Sequence, residues 1–196
     1  MTYKFKISAL AITSLLLSAS VFAGNEDRVG QSGANELIIN PWVRSAGWMN
    51  CNTSSVRGLE AQYLNVAGTA FTKKTEVGFS HTNWLKGTGI SINSFGITQH
   101  VGESGALTLG IMSMDFGNIE ITTPESPEGG IGTYKPQFLN VGLSYAKAFS
   151  NSIYGGLTIK IISESVADVR ASGIAFDAGI QYVTGFNKEK DNLRFG

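Results

Sequence analysis

The stretch that decides the fold is IYGGLTIKIISES, residues 153–165. Its side chains alternate, so that one row is apolar or glycine and most residues between them are polar or small. A period of two places successive side chains on opposite faces of an extended chain and therefore predicts a β-strand. The stretch is longer than a usual globular strand and matches the length of membrane-spanning strands. The apolar row consists of Ile153, Gly155, Leu157, Ile159 and Ile161.

The same alternation continues along most of the chain after Thr75. Further strands are predicted at 75–85, 90–100, 106–116, 138–149 and 173–183, and 193–196 begins another. The chain is therefore predicted to be all-β. Alternation fits two architectures, because a membrane barrel turns its apolar face towards lipid whereas a soluble β-sandwich turns it inwards.

The connections between the predicted strands differ in length, and the longest is GNIEITTPESPEGGIGTYKPQ, residues 117–137. Outer-membrane barrels have short periplasmic turns at one end and longer loops at the other. We therefore expect an antiparallel transmembrane barrel in which 117–137 is an external loop and residues 73–196 form the first six or seven strands. Candidate contact residues in this loop are Glu125, Glu128 and Tyr134.

The first 23 residues have the composition of a secretory signal peptide. Lys4 and Lys6 precede an apolar run that ends near Leu17, and a small-x-small site ends at Ala23. This order of regions indicates export, and the run is too short for a spanning helix. We predict a bacterial exported protein that is located in the outer membrane.

Residues 24–72, called the N-terminal segment below, lack any sustained alternation. The segment is too polar to face lipid and too apolar to be a free linker, which favours a plug inside the barrel. It ends with YLNVAGTAF, residues 63–71. Because asparagine and glycine tolerate positive φ, we expect Asn65, Ala67 and Gly68 to form a turn between plug and barrel.

The stretch NPWVRSAGWMNCNTSSVRGLEAQYLNVAGTAFTKKTEVGFSHTNWL, residues 40–85, resembles the N-terminal region of the PorV/PorQ proteins. These are outer-membrane components of the type IX secretion system with a FadL-like fold. The resemblance extends over about residues 30–196. The matching positions are Arg44 and Gly47, then Asn65, Ala67 and Gly68, and finally Trp84.

This resemblance implies a fourteen-stranded FadL-like barrel with an N-terminal segment in its lumen, of which the chain would be the N-terminal part. It also implies a non-enzymatic role in shuttling exported cargo or attaching it at the cell surface. The implied partners are outer-membrane lipid, the secretion translocon, attachment-complex proteins and the C-terminal domains of cargo.

The composition and motifs give no sign of catalysis. Acidic and basic residues number 15 each, and loss of the two signal-peptide lysines leaves a net charge of about −2, which excludes a basic nucleic-acid surface. His81 and His100 lack further ligands at metal-binding spacing, so they are expected to be ordinary strand residues. The lone Cys51 is expected to be a small buried residue. We predict no enzyme activity, no cofactor and no metal.

Three polar residues on the non-lipid rows of the last strands are candidate lumenal residues: Lys160, Asp177 and Gln181. They would either line a channel or form hydrogen bonds with the plug. Two further functions stay open on the sequence. One is a FadL-like uptake channel for hydrophobic small molecules, and the other is a secreted soluble β-sandwich with a binding role.

Overall fold

The computed structural model describes residues 33–185 and 193–196. The predicted signal peptide at residues 1–23 and the first part of the N-terminal segment lie outside the described residues. The remainder of the N-terminal segment, up to residue 72, is folded as a series of short helical turns and loops. All long strands follow it, beginning at Thr75.

The described residues form nine β-strands. They are β1 (Thr75–Trp84), β2 (Ile90–Val101), β3 (Gly105–Asp115), β4 (Ile119–Glu120), β5 (Thr133–Tyr134), β6 (Gln137–Ala148), β7 (Ile153–Val166), β8 (Val169–Thr184) and β9 (Leu193–Phe195). Seven of them form one antiparallel sheet in the order β1-β2-β3-β6-β7-β8-β9. The prediction of an all-β chain is confirmed. Within the described residues β1 and β9 stand at the two ends of this order, so the sheet is open.

The described part of the N-terminal segment contributes one α-helical turn, α1 (Val43–Gly47), and three 3₁₀ turns, Asn35–Ile38, Leu59–Tyr63 and Val66–Phe71. The last two pack against the sheet, with Val66–Phe71 lying over β6, β7 and β8. In residues 33–185 and 193–196, no helix has the length and apolar character needed to cross a membrane.

The sheet has one covered face, against the N-terminal segment, and one open face, which no other part of the described chain covers. Side chains on the covered face are largely polar and buried, and they include Ser94, Thr98, Thr108, Ser144 and Thr158. Side chains on the open face are largely apolar. The most exposed of them in β7 and β8 are Leu157 (66%), Ile159 (51%), Ile161 (58%), Ile174 (67%), Phe176 (75%) and Ile180 (68%).

An apolar cluster fills one end of the covered face, next to the connection between β3 and β6. Leu37 and Ile39 of the N-terminal segment pack against it, together with Tyr63. The cluster anchors the start of the segment on the sheet. Its buried members are Ile92, Met112, Met114, Phe138 and Ile162.

Two connections differ from their prediction. The strand β8 begins at Val169, before the predicted residue 173, because β7 and β8 are joined by the tight turn Ala167–Asp168. Ala167 has a φ of 51°, a conformation that alanine seldom signals in sequence. The long loop predicted at 117–137 contains the short β4–β5 hairpin, extended by a hydrogen bond from the Ile121 amide to the Gly132 carbonyl (2.8 Å).

Candidate functional site

A row of glycines crosses the covered face at the point where the N-terminal segment docks. Its members are direct cross-strand partners on β1, β2, β3 and β6, namely Gly78, Gly96, Gly110 and Gly142. A Cβ at Gly96 would lie 2.7 Å from Cδ1 of Leu59, and a Cβ at Gly110 would overlap the side-chain oxygen of Gln62. The row is therefore a groove that only glycine can form, and the 3₁₀ turn Leu59–Tyr63 inserts two side chains into it.

Gln62 connects the N-terminal segment to the middle of the sheet. Its Nε2 donates to the Gly142 carbonyl at 2.9 Å and to the Ser144 hydroxyl at 2.8 Å. Ser144 in turn is 2.8 Å from the hydroxyl of Thr158 on the next strand. Gln62 is 3% exposed. Because a buried amide must replace its hydrogen bonds to water, these contacts fix the position of the turn on the sheet.

Asn65 makes the second attachment, over β8. Its Oδ1 accepts from the Ala67 amide at 3.2 Å and so caps the 3₁₀ turn Val66–Phe71, while its Nδ2 donates to the Ile180 carbonyl at 3.0 Å. A Cβ on Gly179 of β8 would overlap this side chain. The capping geometry uses the extended φ of −152° at Asn65.

The predicted positive-φ turn at Asn65, Ala67 and Gly68 is therefore wrong in its geometry. All three residues are buried, and Gly68 lies inside the 3₁₀ turn, where a Cβ would overlap the Val56 carbonyl oxygen. Glycine is required there for close packing and not for its backbone freedom. The chain passes from the N-terminal segment to β1 further on, at residues 72–74.

Gln181 makes the third attachment, and it was predicted as a lumenal residue. It is fully buried on the covered face, and its Nε2 donates to the carbonyls of Thr53 and Val56, each at 3.1 Å. At the other side of the sheet, Ser80 of β1 donates to the Pro41 carbonyl at 2.7 Å. The N-terminal segment is thus held across the whole width of the sheet.

The other two predicted lumenal residues form an ion pair. Lys160 Nζ lies 2.5 Å from an Asp177 carboxylate oxygen, and the Lys160 side chain is 9% exposed while that of Asp177 is 40% exposed. The lysine also lies over the Tyr63 ring, 5.9 Å from its centroid. The pair borders a cavity of about 480 Å³ that Tyr63 and Leu64 line from the N-terminal segment.

Among the described residues, the Tyr63 phenol is a titratable group whose pKa is strongly affected by its surroundings. Burial raises its pKa well above the ordinary value of 10.0, and the Ser94 hydroxyl facing it offsets only part of the rise. The buried phenol therefore adds no charge beside the Lys160–Asp177 ion pair.

The predicted contact residues of the external loop are separate from this site. Glu125 and Glu128 are exposed beyond the β4–β5 hairpin, and Tyr134 is half-buried within β5. Gly130 in the same hairpin donates from its amide to Glu120 at 3.4 Å. The three predicted residues share one loop, but they do not form a single cluster with the covered face.

The remaining chemical candidates are explained by local contacts. His81 Nδ1 is 2.7 Å from the Asn93 side-chain oxygen, and His100 Nδ1 is 3.1 Å from the Thr72 carbonyl. Cys51 is exposed, so the prediction of a buried cysteine is wrong. It lies in a polar loop of the N-terminal segment. Among the described residues no three metal-ligating side chains come together.

No family model matches the chain, and no curated protein matches it either. The candidate site is therefore defined by its geometry alone. It consists of the glycine groove and three side-chain amides, Gln62, Asn65 and Gln181. Sequence reasoning named Asn65 and Gln181 but missed Gln62 and the glycine row. The sequence does contain a signal for the row. Each of the four strands has one glycine in its polar row, at positions that become cross-strand partners when the strands pair.

Proposed function

We propose that this chain contributes strands to the wall of an outer-membrane β-barrel, with the N-terminal segment inside the lumen. The observation that carries this proposal is the inverted polarity of the sheet. Its polar face is buried under the segment, and its apolar face is exposed. A wall between lipid and a polar lumen requires this arrangement.

A soluble β-sandwich fits the sheet poorly. A sandwich buries its apolar rows between two sheets, whereas here Leu157, Ile159 and Phe176 are each more than half exposed. Burying a side chain of this size contributes about 1.5–3 kcal/mol, and lipid contact supplies that burial for the whole open face. Contiguous apolar surface of this extent on a soluble chain is unusual unless it is an interaction surface.

The specific role that we propose is transport or surface attachment of exported cargo in type IX secretion. It is supported by the resemblance of residues 40–85 to the PorV/PorQ proteins, and it requires no enzyme activity, cofactor or metal. The partners would be the translocon, the attachment complex and the C-terminal domains of cargo. The external loop, with Glu125, Glu128 and Tyr134, is the proposed contact surface.

A FadL-like uptake channel is the second candidate, and one observation favours it. The cavity of about 480 Å³ beside Lys160 and Asp177 has apolar walls from Leu37, Leu64 and Val66. Gln62 and Asn65 also line the cavity, so it fits a small molecule with both an apolar part and a polar end.

Membrane location is tested by fractionating cells and running the full-length protein, heated and unheated, on a denaturing gel. We expect recovery only with detergent and a faster-running unheated band, because a barrel resists unfolding by detergent alone. Recovery from the periplasm or medium without detergent would contradict the proposal.

The role is tested by deleting the gene and measuring both surface delivery of proteins with type IX C-terminal signals and uptake of a long-chain fatty acid. Lost delivery with normal uptake supports the secretion role. Normal delivery with lost uptake would reverse the ranking in favour of the channel.

A further inference from the structure

An apolar groove lies on the open face of the sheet, over β6, β7 and β8. Its volume is about 430 Å³, and its wall includes Tyr145, Lys147, Gly155, Leu157 and Ile180. Among the described residues that line it, Lys147 is the only charged one. The groove is thus a depression in the surface that the proposed function turns towards lipid.

The cross-strand register explains why a depression forms here. In one row Gly155 stands between Lys147 and Ile180, and in the next row Leu157 stands between Tyr145 and Ala178. Ala178 leaves space beside its larger neighbours, whereas the space above Gly155 is taken by the Phe149 ring, and the two rows are about 7 Å apart along the strands. The groove is therefore bounded by Phe149, Leu157 and Ile180.

Lys147 defines the polar end of the groove. It is exposed and is the second-last residue of β6, next to the turn 149–152. The ion pairs among the described residues are Arg44–Glu60 and Lys160–Asp177, and Lys147 takes part in neither. A lysine at the edge of an apolar band extends its ammonium group to the headgroup level, where lipid phosphates lie.

We propose that this groove is a binding site for one anionic glycerophospholipid. Lys147 binds the phosphate, and one acyl chain lies over Ala178 against Phe149, Leu157 and Ile180. The turn 149–152 is at the opposite end of the strands from the 117–137 loop, so the lipid belongs to the periplasmic leaflet. Because the groove lies on the face proposed to contact lipid, this inference depends on the proposed function.

The test uses the full-length protein, purified in a mild detergent and offered phosphatidylglycerol or phosphatidylcholine, with bound lipid counted by native mass spectrometry. Three variants are compared with the wild type. Lys147→Gln removes the cation, Ala178→Phe fills the groove, and Arg170→Gln is the matched control, because Arg170 is an exposed cation at the other end of the same face of the sheet.

We expect one retained phosphatidylglycerol in the wild type and in Arg170→Gln, about fivefold weaker retention in Lys147→Gln, and loss in Ala178→Phe. Equal retention of both lipids, or unchanged retention in Lys147→Gln, would overturn the inference. The heat-dependent gel shift of each preparation separates the two proposals. A protein that shows the shift but retains no lipid refutes only the proposed lipid-binding site. A protein that does not show the shift refutes the proposed barrel.

Discussion

Replacing Gln62 by alanine tests whether the N-terminal segment is held by specific contacts or merely lies against the sheet. The substitution removes two hydrogen bonds, at 2.9 Å to Gly142 and 2.8 Å to Ser144, from a residue that is 3% exposed. Two such bonds contribute about 1–3 kcal/mol, and the buried methylene that is also lost contributes about 0.8 kcal/mol. We therefore expect docking of the segment to weaken by about 2–4 kcal/mol.

This change corresponds to an increase of roughly 30- to 1,000-fold in the undocked fraction, since each tenfold step is about 1.4 kcal/mol. The assay is hydrogen exchange with mass spectrometry on peptides that cover the 3₁₀ turns Leu59–Tyr63 and Val66–Phe71. Their amides should exchange faster in Gln62→Ala, while those of β6 and β7 should change little, because the strand ladders do not depend on the segment.

The matched control is Gln99→Ala, the same chemical change at an exposed position on β2. Surface substitutions of this kind change stability by about 0.5 kcal/mol or less, so exchange in the segment should stay as in the wild type. Equal exchange in Gln62→Ala and Gln99→Ala would refute the idea that Gln62 holds the segment in place.

Three further outcomes follow from the same contacts. Asn65→Ala should cost about 1–2 kcal/mol, because it removes the cap on the Ala67 amide, and denaturant unfolding would measure the loss. Asp177→Asn should lower the free energy of unfolding by about 1–3 kcal/mol, because it leaves the buried Lys160 without its charge partner. The partial exposure of Asp177 limits the loss, and thermal unfolding would measure it. Because burial raises the Tyr63 pKa, stability should fall as the pH rises above about 10, where the unfolded phenol ionises first, and this part of the loss should be absent in Tyr63→Phe.

Each of these outcomes has its own check. Asn65→Asp keeps an oxygen acceptor for the cap and should recover part of the stability, so a variant no better than Asn65→Ala would contradict the capping role. The control for Asp177→Asn is Glu125→Gln. It neutralises an exposed loop carboxylate and should leave the unfolding temperature unchanged. A wild type and a Tyr63→Phe variant with the same alkaline profile would show that the phenol is not buried in solution.

The strands and their faces were predictable from the sequence because both depend on a local period of two. In 153–165 the predicted apolar row is the open face of β7 and the row between is the covered face. The start of β8 was missed because the turn before it uses Ala167, whose positive φ has no sequence signal, instead of glycine or asparagine.

The site was less predictable because its contacts join residues far apart in the chain. Gln62 reaches Gly142, and Gln181 reaches Thr53 and Val56, across more than half of the described sequence. The local rule that glycine permits positive φ suggested a turn at Gly68, whereas packing against Val56 is the actual reason for glycine there. Only the fold shows which role a glycine has.

The most direct test of the central claim is the environment of alternate residues on β7. Single nitroxide labels would be placed at positions 157 to 161 of the full-length protein, with Cys51 replaced by serine, and the protein would be reconstituted into lipid vesicles. We predict that labels at Leu157, Ile159 and Ile161 collide with oxygen dissolved in lipid, whereas labels at Thr158 and Lys160 do not. Labels at Ile159 and Ile161 that collide instead with a water-soluble nickel complex would contradict the account.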